Sequence, residues 1–194
     1  MAQSLKDKII RELKKNPDFI FFDKDFFELG SPGAVRITLK RLCDDGEIDR
    51  LTRGLYGYSF CCCTSPSPTE LAEAIARKFG WEITPSGETA LFFLGISCQM
   101  PSVMEFISTG PYRSYEIGAY ELCFKHASSK NFSIQDSMGK LVVLALAALG
   151  KDKITPEIIE LLQNKLTEKE KRKIISESRY VTVWIHDFLK DILQ

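Results

Sequence analysis

Arg36, Lys40 and Arg41, followed closely by Arg50 and Arg53, are the side chains of this chain whose types and spacing could do chemistry together. Their chemistry is that of cationic donors, which neutralise phosphates and donate to base edges but accept nothing. Between Pro32 and Leu42 all the charged residues are basic. Ser31, Gly33 and Ile37 share that stretch, and Gly54 and Tyr56 follow the last arginine. The advantage is local, because Asp44, Asp45, Glu47 and Asp49 offset Arg50 and Arg53 along the chain.

The elements that must position these groups are legible from 29–58. Leu29 and Gly30 close a short helix, Ser31 is a good N-cap, and Pro32 suits a first helical turn. Val35, Leu39 and Leu42 recur at i, i+4 and i+7, so one stripe of a helix over 32–45 faces a core. Gly33, Arg36, Ile37 and Lys40 then fall on the opposite face, with Arg41 at its margin. Gly46 stops the helix. Residues 48–51 and 55–58 read as two short strands joined at Thr52-Arg53-Gly54, where glycine tolerates positive φ. Upstream, 4–15 form an amphipathic helix with Leu5, Ile9, Ile10 and Leu13 inward. Phe19–Phe22 supply a short strand, and Asp23 caps a brief helix over 24–29. Helix, strand, helix, helix, hairpin is the winged-helix order, with Phe19 to Phe27 as core.

Two uses of such a unit stay open, since fold does not fix function. One is reading duplex DNA, with small residues letting the helix start approach a groove floor and an Arg-tipped hairpin beside it. The other is docking a protein. Lysine plus arginine and aspartate plus glutamate are both 26, so the formal net charge is zero. That argues against coating nucleic acid non-specifically and leaves room for a local, selective contact.

Enzyme chemistry finds no constellation. There is no phosphate-cradling GxxxxGK[ST] or GxGxxG, and no HExxH or nucleophile elbow. The two histidines, His126 and His186, read as hydrogen-bonded and packing residues. Glu105, Glu116, Glu121 and Lys125 could be imagined as a metal cluster, but Glu121 and Lys125 would stand about 13 Å apart along a strand. The adjacent Cys61, Cys62 and Cys63 cannot all turn toward one ion and read as small apolar strand-end residues, a thiol switch being the weaker alternative. No cofactor and no metal are expected. The longest apolar run, Leu141–Leu149, is too short to span a bilayer. The polar N-terminal stretch has no signal-peptide core, so the cytosol is the expected compartment and its six cysteines are expected to be reduced.

Thr64-Ser65-Pro66-Ser67-Pro68 is a polar, double-proline break. It divides a domain over 1–60 from one over 69–194, with 61–68 as linker. A helix opens at Thr69, a strand covers 81–84 and a short helix 88–94. Strands follow over 103–108, 112–117 and 120–125, then helices over 136–149, 155–163, 167–177 and 180–193. The run 141–149 is apolar nearly all round and should be the central buried helix. Residues 165–173 read as a solvated charged helix with i, i+4 pairs such as Glu168–Arg172, or as a second phosphate-contacting patch. The expected class is α+β: an N-terminal winged helix-turn-helix, then a small mixed α/β domain ending in helices.

Three stretches carry a family resemblance: FELGSPGAVRITLKRLCDDGEIDRLTRGLYGY, ITPSGETALFFLGISCQMP and VMEFISTGPYRSYEIGAYELCFKHASSKNF. They are similar to the "I-x-R-L-x-R-G-x-Y" segment, the "P-x-G-x-x-A-L-x-x-L-G-L-S-x-Q-x-P" segment and the following strand pair of prokaryotic regulators like the antitoxin of the AbiE abortive-infection system. Arg50, Arg53, Gly54 and Tyr56 match that family's wing signature. Asp49 departs from it, as does the cysteine run where a proline-bearing exit is usual. The resemblance implies an operon-repressing antitoxin that counters a nucleotidyltransferase-like toxin without a stable complex. Its expected partner is double-stranded operator DNA and not a membrane; separately, a neutral chain with a single small basic face points to two copies on an inverted repeat. Helix 32–45 would enter the major groove through Arg36 and Lys40, while Arg50 and Arg53 grip the adjacent backbone or minor groove.

Overall fold

The computed structural model describes residues 4–15, 20–58, 66–127 and 134–193 of the α+β chain. Two compact units emerge: residues up to Gly80 together with Glu116–Ala119, and Trp81–Tyr115 together with the chain from Tyr120 onward.

In the first unit, helix α1 (Leu5–Lys15) buries Ile9 and Leu13, one turn apart. Strand β1 (Ile20–Phe21) follows, then a single 3-10 turn at Asp23–Phe26 where a helix over 24–29 was expected. The capping role expected of Asp23 belongs to Asp25, whose carboxylate accepts the Phe22 backbone N–H at 2.8 Å. Phe26 turns in beside Phe21, with ring centroids 5.2 Å apart, edge to face. Helix α2 (Pro32–Asp44) comes next, then β2 (Asp49–Thr52) and β3 (Leu55–Gly57). Strand β3 pairs antiparallel with both β1 and β2, so the sheet order is β1-β3-β2. Ile9, Leu13, Phe21, Phe26, Val35, Leu39, Leu42, Ile48 and Tyr58 close one core beneath it.

Helix α3 (Pro68–Phe79) starts with a capping box, Ser67 against Glu70, and stops at Gly80 in the left-handed region. It belongs to this first unit, although the sequence expectation assigned 69–80 to the second domain. The tie is a long-range hydrogen bond, Arg77 Nη2–H to the Ile20 carbonyl at 2.6 Å, which no local pattern encodes. Of the expected linker over 61–68, residues 61–65 with the cysteines 61–63 lie outside the described residues, whereas Ser67 and Pro68 begin helix α3.

Beyond Gly80 the chain forms a mixed sheet of order β4-β5-β7-β6, made of Ile83–Pro85, Val103–Ser108, Tyr120–His126 and Arg113–Ile117 respectively. Strand β4 is antiparallel to β5, whereas β5 and β7 run parallel. Residues 109–112 must therefore pass the end of β7 to reach β6 on its far side. Gly110 lies in that passage, where a Cβ would overlap the indole of Trp81. Its carbonyl is 3.0 Å from His126 Nδ1, and since a carbonyl only accepts, that nitrogen carries the proton. His126 is thus the hydrogen-bonded residue expected.

Helices α4 (Gly87–Leu94), α5 (Ser137–Leu149), α6 (Pro156–Lys165), α7 (Glu168–Glu177) and α8 (Val183–Leu193) share a second core. Helix α5 is central to it through Val142, Val143, Ala145 and Leu146, while Ala147 and Ala148 face outward. The charged run 165–173 is largely exposed, as a solvated helix face would be, and some of its groups pair with the rest of the unit. Lys165 donates to the carbonyls of Phe93 and Leu94 at the end of α4, and Lys173 reaches Asp136 at 3.5 Å. Glu168 pairs with Lys171 at 2.7 Å, three residues on, in place of the expected Arg172. His186 Nδ1 lies 2.9 Å from the Ser178 hydroxyl, whose own proton goes to the Ile175 carbonyl.

Candidate nucleic-acid interface

Helix α2 presents its outer face because its inner one is fully committed. Val35, Leu39 and Leu42 have no exposed surface. The Ser31 hydroxyl accepts the Ala34 N–H at 3.4 Å, fixing where the helix starts. Gly33, Arg36, Ile37, Lys40 and Arg41 are all exposed, as their positions in the 3.6-residue period required. Around Gly33 a Cβ would meet open space, so nothing blocks close approach to the first turn. Ile37 is 56% exposed, a large apolar side chain in the middle of a polar face.

The hairpin stands beside this helix in the chain. Thr52 faces Leu55, leaving Arg53-Gly54 as a two-residue turn, and Gly54 has φ +73°. The register shifts between Arg50 and Thr52, an irregularity in β2 next to the tip. Arg50 faces Tyr56 across the ladder and is exposed, as is Arg53. Tyr56 is half-buried, its ring stacked 5.7 Å from that of Phe21, and burial pushes its phenol above the usual range. Of the wing signature, Arg50 and Arg53 are therefore surface groups, while Gly54 and Tyr56 shape and support the hairpin.

Charge is arranged differently in space than along the chain. Lys6 on α1 lies 2.8 Å from Asp45 and 2.7 Å from Glu47. Hydrogen bonds to these carboxylates hold the Lys6 ammonium well above the usual lysine range. Two of the four acids that offset Arg50 and Arg53 in sequence are thus already paired. Arg36, in contrast, donates from Nε to Asp23 Oδ2 at 2.6 Å. Among the described residues no ion-pair partner stands within 4 Å of Lys40, Arg41, Arg50 or Arg53.

Sequence reasoning passed over three groups here. Asp23 was read as a cap, and its distance of 13 residues from Arg36 offers no periodic signal. Phe27 lies under the Arg36 guanidinium, 5.7 Å from ring centroid to Cζ. Lys78 of α3 reaches the hairpin turn, its Nζ 3.5 Å from the Gly54 carbonyl and 4.9 Å from the centre of the Phe22 ring. The imagined acid cluster of the second unit has another arrangement. Lys125 pairs with Glu105 across the parallel strands at 2.5 Å, and no group of three metal-ligating residues gathers among the described residues. No helix among them is long and apolar enough to cross a membrane.

Comparison with known proteins gives a family without an assigned role. Residues 6–175 match the family described as "Family of unknown function (DUF6088)". No curated protein matches the chain. Among solved structures, the RV2827C protein from Mycobacterium tuberculosis is similar over 100% of this chain and 82% of that one, at 10% identity and a TM-score of 0.49.

Proposed function

The chain belongs to DUF6088, a family of unknown function, and from that premise we propose that its first unit is a winged helix that reads duplex DNA in a transcriptional regulator. One observation carries the reading: a helix with a fully buried stripe turns Gly33, Ile37, Lys40 and Arg41 outward and is followed by a hairpin bearing Arg50 and Arg53. A helix with small residues in its first turn fits a major groove, and a cationic hairpin fits the adjoining backbone or minor groove. Acids that would repel phosphate are partly held by Lys6. The finer role, an antitoxin repressing its own operon, rests on the resemblance to the AbiE-type antitoxin alone.

The test is binding to the DNA upstream of the protein's own reading frame against random duplex, at two salt concentrations. Selective binding that weakens steeply with salt supports the reading. Equal, weak binding to both would overturn it. A second reading, a winged helix that docks a protein, is favoured by the exposure of Ile37, since a large apolar side chain suits a protein surface as well as a groove. It predicts little salt-dependent affinity for any duplex.

A further inference from the structure

Arg36 is held on two sides. Its Nε donates to Asp23 Oδ2 at 2.6 Å, and its guanidinium lies over the Phe27 ring at 5.7 Å. Asp23 is fixed in turn: its other oxygen accepts the Lys24 backbone N–H at 3.1 Å, and its side chain is only 17% exposed. Arg36 itself is 61% exposed. A guanidinium has two donor edges, and the one carrying Nε faces the carboxylate. The edge formed by the two terminal nitrogens is the one that faces away from it. Its plane is set by the carboxylate on one side and the aromatic ring on another.

We propose that Asp23 and Phe27 are positioning residues that aim Arg36 at a guanine, whose O6 and N7 would accept the two terminal nitrogens in the major groove. This rests on the reading of the first unit as a duplex reader. The physical case is pre-organisation. An arginine side chain has many rotamers, and ordering it on binding costs free energy that discrimination must exceed. A carboxylate at Nε and an aromatic face remove most of those rotamers beforehand. Guanine is the base that presents two adjacent acceptors on its major-groove edge, matching a fork that only donates. The pair also explains why an acid should stand at a DNA-facing surface. Alone it would repel phosphate, whereas tied to Arg36 it leaves a neutral, directed donor that contributes selectivity more than attraction.

The experiment uses the full chain and a site selected from a random duplex pool, with 7-deazaguanine, which lacks the N7 acceptor, placed at each guanine in turn. At one guanine, the unaltered protein should lose about two- to tenfold in affinity, the share of one of the two hydrogen bonds of a bidentate contact. Arg36→Ala should be indifferent to that replacement. Arg36→Lys, which keeps the charge but not the fork, should keep the salt dependence and lose the discrimination. Asp23→Asn should bind random duplex at least as tightly as the unaltered protein, because a negative charge is gone, yet discriminate guanine less. Phe27→Leu should discriminate less without that gain. If Asp23→Asn tightens selected and random duplexes equally while guanine discrimination persists, Asp23 merely screens Arg36 and the inference falls. If 7-deazaguanine is tolerated at every position by a selectively binding protein, Arg36 reads no guanine and the duplex reading stands without it. If no sequence is selected at all, both fall together.

Discussion

The exposed cations of the first unit differ in what surrounds them, and so in what they can do. Arg36 is neutralised by Asp23, whereas Arg53 sits at a hairpin tip with no ion-pair partner among the described residues. An exposed tip charge serves phosphates, which repeat along any sequence. Arg53→Ala should therefore weaken binding to specific and random duplex by similar factors and reduce the slope of log affinity against log salt by about 1. A filter-binding or fluorescence titration across salt reads both. Loss confined to the specific duplex would assign the hairpin tip to base reading instead. At this scale the sequence was informative about which residues are basic and exposed. It was silent about Asp23, because an ion pair 13 residues apart depends on how a 3-10 turn is laid against α2.

Helix α2 has one fully buried face and one exposed face, and on the proposed reading only the second bears on binding. Leu39 is fully buried, so Leu39→Ala should lower the stability of the first unit by about 2–5 kcal/mol, seen as a lower denaturant midpoint. Ile37→Ala, at an exposed position, should stay within about 0.5 kcal/mol and alter only binding. A large fall in stability from Ile37→Ala would mean that the two faces are not independent. Both faces were legible before any coordinates, because a period of 3.6 residues sorts Val35, Leu39 and Leu42 from Gly33, Arg36, Ile37 and Lys40. Strands β5 and β7 were legible from their β-branched and aromatic residues and from the turns at Gly110-Pro111 and Gly118-Ala119. Their parallel pairing was not, since it depends on residues 109–112 passing the strand end. The helix expected over 24–29 shortened to one 3-10 turn, as Asp25 capped where Asp23 was expected to and Phe26 turned inward.

At the scale of the whole molecule, balanced charge sets how such a protein could bind. Four exposed cations of the first unit, Lys40, Arg41, Arg50 and Arg53, are free of ion pairs among the described residues, and each phosphate neutralised contributes about −0.9 to the salt slope. One copy should then give a slope of about −3 to −4, and two copies on an inverted repeat about twice that. Titration of the selected duplex, with stoichiometry from mass measurement, decides between them; a slope near zero would favour the protein-docking reading. The division into units was only half legible. The double proline marks a break in the chain, but α3 beyond it supplies Arg77 to the Ile20 carbonyl and Lys78 to the hairpin turn. The first unit is therefore not portable at the place where composition would invite a cut. Grafted to another protein as residues 1–60, it would leave the Ile20 carbonyl without its donor and the hairpin turn without its lysine. Carried through Gly80, it takes its own brace along.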